Sequence, residues 1–234
     1  MNKNINYYSY LFIRPDKFEI SINEKLNLKE IYKNDIMIDN HYNDINLNYL
    51  DDFLKKNIFI SEKLINDFIK EINIIIESHK FLEVSLSVKK KNHNDLILKD
   101  DLVYLLNDAK EQCKKTFHGY KIIHMIIENY LIDNKNYVSL PENSKCGSFS
   151  LDIKFICLHE KLVEEIKKVL RKYQINIDQI ISAKYANNLF LKNKYSIYER
   201  SQKIIEGSNL NEILFINKST KNRGFFEKFF NLFS

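Results

Sequence analysis

Tyr120-Lys-Ile-Ile-His-Met-Ile-Ile127 is an apolar run that continues through Tyr130-Leu-Ile-Asp133, and it sets the reading of the chain. A polar turn at Asn134-Lys-Asn136 and a loop holding Pro141 and Gly147 lead into a second strand. There Phe149, Leu151, Ile153, Phe155 and Cys157 alternate with Ser150, Asp152 and Lys154, the period-two pattern of a half-buried strand. Leu162, Val163, Ile166, Val169, Leu170 and Tyr173 then recur at helical spacing. Strand, hairpin, strand and helix read as one compact unit.

Upstream, Tyr8 to Ile13 and Phe18 to Ile22 flank a turn at Arg14-Pro-Asp-Lys17, and a third extended segment comes near Leu28 to Ile38. Asp39 to Asp52 is polar and reads as a loop, with a helix beginning near Leu50 or Asp51. Ser61 is the expected N-cap of a longer helix to Ile76, its apolar face made by Leu64, Ile65, Phe68, Ile69, Ile72, Ile75 and Ile76. Phe81 to Val88 alternates as a strand, Lys89 to Asn94 is expected to turn the chain, and a helix is expected over about Lys99 to Lys114. Ser182 to Leu189 reads as a short helix. The fold class is α+β, with small antiparallel or mixed sheets and helices packed on one face.

Composition narrows the function. The 234 residues suffice for one or two domains, and 44% hydrophobic with 13% aromatic residues describes a folded chain. The net charge of +5 is spread over 36 basic and 31 acidic residues without a basic stripe, which argues against nucleic acid. Cys113, Cys146 and Cys157 show no metal-type pairing, and an odd count suits a reducing cytoplasm. His41, His79, His93, His118, His124 and His159 are scattered, and His124 reads as a hydrogen-bonded structural residue rather than a base. Asp100-Asp101 fits the first turn of a helix. No P-loop, dinucleotide fingerprint or nucleophile elbow occurs, so the expectation is no enzyme, no cofactor and no metal.

The C-terminus, Gly224-Phe-Phe-Glu-Lys-Phe-Phe-Asn-Leu-Phe-Ser234, is the most informative short motif. On a helix Phe225, Phe226, Phe229, Phe230, Leu232 and Phe233 fall within an arc of roughly 160°. Lys228 stands on the polar side, and Lys221 and Arg223 precede the run in a polar linker. Aromatics beside basic residues make the composition of an interfacial helix, and these nine residues are the expected membrane-binding set.

Two of these stretches carry a resemblance. His124-Met-Ile-Ile-Glu-Asn-Tyr130-Leu-Ile-Asp133 resembles the His-x-Ile-Pro-x-x-Tyr-x-x-Asp segment of FtsA, the actin-like bacterial cell-division protein. Ile127 stands where that family has proline, and Asn134 where it usually has glycine. Leu151 to Ile156, the helix Lys161 to Lys172 and Ile175-Asn-Ile-Asp178 are similar to the succeeding segments of its extra subdomain, 1C. The tail resembles the FtsA membrane-targeting helix. The resemblance implies a start of the actin-like first subdomain over 1–60, a 1C-like domain over 61–191, a linker over 192–222 and a membrane helix over 223–234. In that family the first hairpin carries an Asp-x-Gly-[Thr/Ser] phosphate loop. Here Arg14-Pro-Asp-Lys-Phe-Glu19 has no glycine, which predicts loss of nucleotide binding.

The implied role is non-enzymatic: a peripheral protein on the inner face of the cytoplasmic membrane that recruits division proteins, FtsZ or later divisome components, and self-associates. The alternative is a soluble adaptor of the pilus-assembly PilM kind, binding a partner peptide through its 1C-like domain.

Overall fold

The computed structural model describes residues 7–39, 44–141 and 145–214. The chain forms two units, one from residues 7–80 and 160–206, the other from 81–159 and 207–214.

In the first unit β1 (Tyr7–Ile13) and β2 (Lys17–Glu24) form the expected hairpin, and β3 (Glu30–Met37) pairs antiparallel on the outside of β2. Helix α1 (Leu47–Ile65) leads to β4 (Glu71–Ile76), which lies parallel to β1. After the second unit, α3 (Glu160–Arg171) leads to β9 (Asn176–Ser182), parallel to β4. The sheet order is therefore β3-β2-β1-β4-β9. Alternation assigns its faces. Phe18 packs its ring against Phe53 of α1, with centroids 6.3 Å apart. On the opposite face Tyr10 and Ile75 pack with Ala183 of α4 (Ala183–Leu189) and Tyr198 of α5 (Ile197–Ile205). Helices thus cover both faces of this sheet. Strands β1 and β4 bury apolar residues on both sides, whereas β2 turns Phe18, Ile20 and Ile22 to one face and Glu19, Ser21 and Asn23 to the other.

Polar contacts at Asn57 and Asp51 fix α1. Buried Asn57 accepts from Tyr32 Oη and Asn34 Nδ2 of β3, each at 2.6 Å. Its own amide donates to the Phe53 carbonyl at 2.7 Å. Tyr173, just beyond α3, donates to Asp51 Oδ1 at 2.8 Å, beside a 2.6 Å Lys172–Asp51 ion pair.

In the second unit β5 (Phe81–Leu96), α2 (Lys99–Thr116), β6 (Tyr120–Ile132), β7 (Lys135–Tyr137) and β8 (Lys145–His159) give an antiparallel sheet of order β5-β8-β6-β7. The core lies between this sheet and α2. Phe149, Leu151, Ile153, Phe155 and Cys157 of β8 meet Leu102, Leu105, Leu106, Ala109 and Cys113 of α2.

Several expectations are corrected. Helix α1 starts at Leu47, capped by Asn46 Oδ1, which accepts from the amides of Asn48 and Tyr49. Ser61 is no cap: it is buried inside α1 and donates back to the Asn57 and Ile58 carbonyls. The helix ends at Asn66, in the left-handed region at φ 51°. Glu71–Ile76 is a strand because its isoleucines are buried on both faces of a central parallel position, where alternation disappears. The chain does not turn over Lys89 to Asn94. Strand β5 continues to Leu96 through a register shift between Lys91 and Asp95, with His93 at φ 49° and Asn94 at φ 65°.

Unit boundaries fall at 80/81, 159/160 and 206/207, not at 60/61 and 191/192. The cause is the pairing of β4 with β1 and of β9 with β4, which draws 61–80 and 160–191 into the first unit. Residues 192–214 are not a free linker either, since they include α5 and a segment paired with β6.

Candidate protein-interaction edge

The face of the β5-β8-β6-β7 sheet away from α2 is polar and internally satisfied. Ser87 donates to Asp152 at 2.6 Å, Asn129 donates to the other Asp152 oxygen at 3.2 Å, and Lys154 pairs with Glu83 at 2.6 Å. The edges differ from that face. Among the described residues β5 has no strand on its outer side, and Lys89-Lys-Lys91 places charge along it, a common protection of an edge.

The outer edge of β6 is covered in pieces. Strand β7 pairs with Tyr130 to Ile132. Farther along, Ile126 faces Glu212 in an antiparallel bridge. The Ile127 amide donates to the Asn211 carbonyl at 2.9 Å, and the Ile213 amide donates to the Met125 carbonyl at 2.8 Å. Beneath the bridge His124 Nδ1 lies 2.7 Å from Glu212 Oε1, both side chains only 3% exposed. Ile213 enters the core of the unit, and Asn211 Nδ2 donates to the Val138 carbonyl at 3.0 Å. Asn209 shapes the approach, its carbonyl accepting from the Glu212 amide and its side-chain oxygen from the Asn211 amide. His124 is therefore a structural residue with a carboxylate partner 88 positions away. Local periodicity carries no signal for that pairing.

In the first unit the turn between β1 and β2 is closed by the Arg14 amide donating to the Lys17 carbonyl at 2.9 Å. The Arg14 guanidinium donates to both Asp16 oxygens at 3.0 Å and reaches Glu77 at 3.7 Å. Two residues into β2, Glu19 is buried among cations. Lys17 stands 2.6 Å from one carboxylate oxygen and Lys33 3.0 Å from the other, which also accepts a short hydrogen bond from Tyr198 Oη. Burial pushes this carboxyl up, but the hydrogen bonds from Lys17, Tyr198 and Lys33 outweigh it and hold the group below its ordinary value. Burial, then the Glu19 contact, pushes the Tyr198 phenol far above its own. A cleft of about 530 Å³ opens beside the cluster, with Asn23, Glu30, Lys33, Ser196 and Glu199 among its walls. Its charges are of both signs, and the Ser196–Glu199 capping box already satisfies the start of α5.

Lys221, Arg223, Phe225, Phe226, Lys228, Phe229, Phe230, Leu232 and Phe233 lie outside the described residues, as does His41. Among the described residues no group of His, Cys, Asp and Glu could hold a metal ion, and no helix is long and apolar enough to cross a membrane. Burial pushes all three thiols up, Cys157 to about 12, so none is an activated nucleophile. Asp101 does serve the start of α2, accepting from the Leu98 amide at 2.8 Å and pairing with Lys90.

No protein-family model matches the sequence, and no curated protein matches it. Solved structures do. One, of the PilM-PilN type IV pilus biogenesis complex, superimposes with a TM-score of 0.50 at 6% identity, covering 79% of this chain and 50% of that one. A second is the cytoplasmic domain of EpsL, an inner membrane component of the type II secretion system of Vibrio cholerae, at TM-score 0.37, 8% identity, 77% of this chain and 57% of that one. A third is a protein from Bacteroides thetaiotaomicron with an actin-like ATPase fold and unknown function, at TM-score 0.35, 14% identity, 82% and 58%. At such identities the likeness concerns the fold, and the pilus-complex structure carries it. The class is mixed α+β, two small sheets with helices, resembling in fold part of the PilM-PilN structure. The chain spans about half the length of the solved structures it matches.

Proposed function

We propose that this chain is a non-enzymatic, actin-like adaptor of a membrane-associated assembly, joining protein partners through its second unit to the inner face of the cytoplasmic membrane through its C-terminal aromatic tail. The observation that carries the reading is the β1–β2 turn. At the place where FtsA-like proteins hold nucleotide phosphates, this chain has Arg14-Pro-Asp-Lys17, with no glycine and with the Arg14 guanidinium clamped on Asp16. A phosphate cradle needs successive amides presented by a backbone free to open, and this turn offers an arginine–aspartate pair instead.

The division form of this reading rests on the resemblance of His124 to Asp133 and of the tail to FtsA. It makes FtsZ or later divisome components the partners, with self-association of the chain. Full burial of one Phe contributes about 1.5–3 kcal/mol, and an interfacial helix buries its residues only in part. A single tail then binds reversibly, and linked copies or a polymeric partner make attachment stable. The second reading is a pilus-type adaptor, favoured by the likeness in fold to the PilM-PilN complex. In that form the partner is an extended peptide added at a sheet edge.

Both forms exclude nucleotide binding. Thermal melting of the full chain with millimolar Mg-ATP is expected to leave the melting temperature unchanged. A rise of several degrees would overturn the non-enzymatic reading, because a ligand at 100 times its Kd stabilises by about 2.7 kcal/mol.

A further inference from the structure

Strand β3 closes one side of the first unit's sheet, and among the described residues nothing pairs with its outer side. The chain is described without a break from Tyr7 to Asp39, so β3 and the residues at both of its ends are in place. Every residue of β3 except Tyr32 is exposed, among them Ile31 at 42%, Ile36 at 41% and Met37 at 66%. Long exposed edges that carry apolar side chains are the ones that recruit another chain. The Ile38 amide donates inward to the Asp16 carbonyl at 2.8 Å, and the ladder to β2 is regular from Met37 back to Tyr32. By alternation the backbone groups of Tyr32, Asn34 and Ile36 point to β2, and those of Lys33, Asp35 and Met37 point outward.

The strand is complementary to itself. With two copies antiparallel and Asn34 opposite Asn34, outward-pointing residues meet outward-pointing ones. Lys33 then faces Asp35 of the second copy on both sides of the axis, each pair exchanging both backbone hydrogen bonds. Tyr32 faces Ile36 on the α1 side, an aromatic and β-branched pair, and Met37 faces Ile31. Moving the axis to Lys33 or to Asp35 keeps the backbone pattern but sets like charges opposite each other. The Lys33 and Asp35 side chains are 39% and 45% exposed, so they can reach across while keeping their contacts to Glu19 and Lys17 of β2.

We propose that β3 is a self-association edge, where a second copy of this chain pairs antiparallel about Asn34 and joins two five-stranded sheets into one. The contact is one strand wide, so the dimer forms reversibly as concentration rises. It gives the self-association of the adaptor reading a surface, and it stands on the geometry of β3 alone.

Sedimentation velocity of the full chain from micromolar to millimolar concentration tests it. The wild type is expected to pass from monomer to dimer. Lys33→Asp and Asp35→Lys each set like charges together on both sides of the axis and are expected to weaken dimerisation at least about tenfold. An equimolar mixture of the two variants restores the opposite-charge pairs and is expected to dimerise as the wild type does. Circular dichroism checks that the variants fold. Should Lys33→Asp fail, because it sets a second carboxylate beside buried Glu19, amide exchange on the wild type decides. Protection of Lys33 and Asp35 must then rise with concentration, while that of Tyr32, Asn34 and Ile36 stays constant. A wild type that is monomeric throughout overturns the proposal, as does association that neither variant weakens. A mixture that dimerises no better than its components, or unchanged protection of Lys33 and Asp35, does the same. None of these results touches the nucleotide titration, which tests the adaptor reading separately.

Discussion

Glu19→Ala removes the one carboxylate that Lys17, Lys33 and Tyr198 share. The two lysines are 24% and 39% exposed, so their charges return to water, and each loses a contact worth less than about 1 kcal/mol. Tyr198 is different. The residue is 6% exposed, and its hydroxyl would be left buried without an acceptor, at a cost of about 1–3 kcal/mol. Together these give a loss of about 3 kcal/mol, a fall in melting temperature of roughly 6–12 °C for a chain of this size. Calorimetry and urea unfolding at pH 7 measure it.

Tyr198→Phe removes the donor and separates the terms. Because the two residues share one hydrogen bond, the double variant should lose less than the sum, with a coupling of about 1–2 kcal/mol. Acid should erase the difference between wild type and Glu19→Ala. The folded carboxyl titrates below its unfolded value, so its stabilisation is complete above the unfolded pKa of about 4.3 and is lost as pH falls through the lower folded value. A loss below about 0.5 kcal/mol, strict additivity, or a difference that grows in acid would refute the reasoning.

Two further predictions concern packing. Phe155, fully buried in the second unit, should cost about 3–5 kcal/mol on replacement by alanine, seen as a lower urea midpoint, and a change under 1 kcal/mol would mean the core is misassigned. Asn57→Ala strips the shared acceptor from Tyr32 and Asn34 and should cost about 1–3 kcal/mol, with faster amide exchange in β3; unchanged exchange there would count against the α1–β3 tie.

Legibility followed the range of the forces involved. Strand β8 over Phe149 to Phe155 and helices α2 and α3 declare themselves because each buries one face there, so a period of 2 or 3.6 survives in the residues themselves, while β6 shows as an apolar run. Strand β4 does not: Ile72, Ile74, Ile75 and Ile76 are buried on both sides, and with Leu64, Ile65 and Ile69 they imitate a helical stripe. What distinguishes them is β9, about a hundred residues later, which supplies the second flank. The bulge in β5 hid for a related reason, since His93 and Asn94 read locally as a turn while β8 holds the strand straight on. Glu212 lies 88 positions from His124, and only the fold brings the two together. The proposed membrane role of the tail rests on sequence: its aromatic arc, its basic neighbours and its resemblance to the FtsA tail.

That tail is where the account meets its most direct test. Co-sedimentation of the full chain with anionic vesicles of phosphatidylglycerol and phosphatidylethanolamine is compared with the Phe226→Glu, Phe230→Glu double variant. The account predicts that the wild type pellets with the vesicles, less so at high salt, and that the variant stays in the supernatant. A wild type that remains in the supernatant, or a variant that pellets equally well, would contradict it.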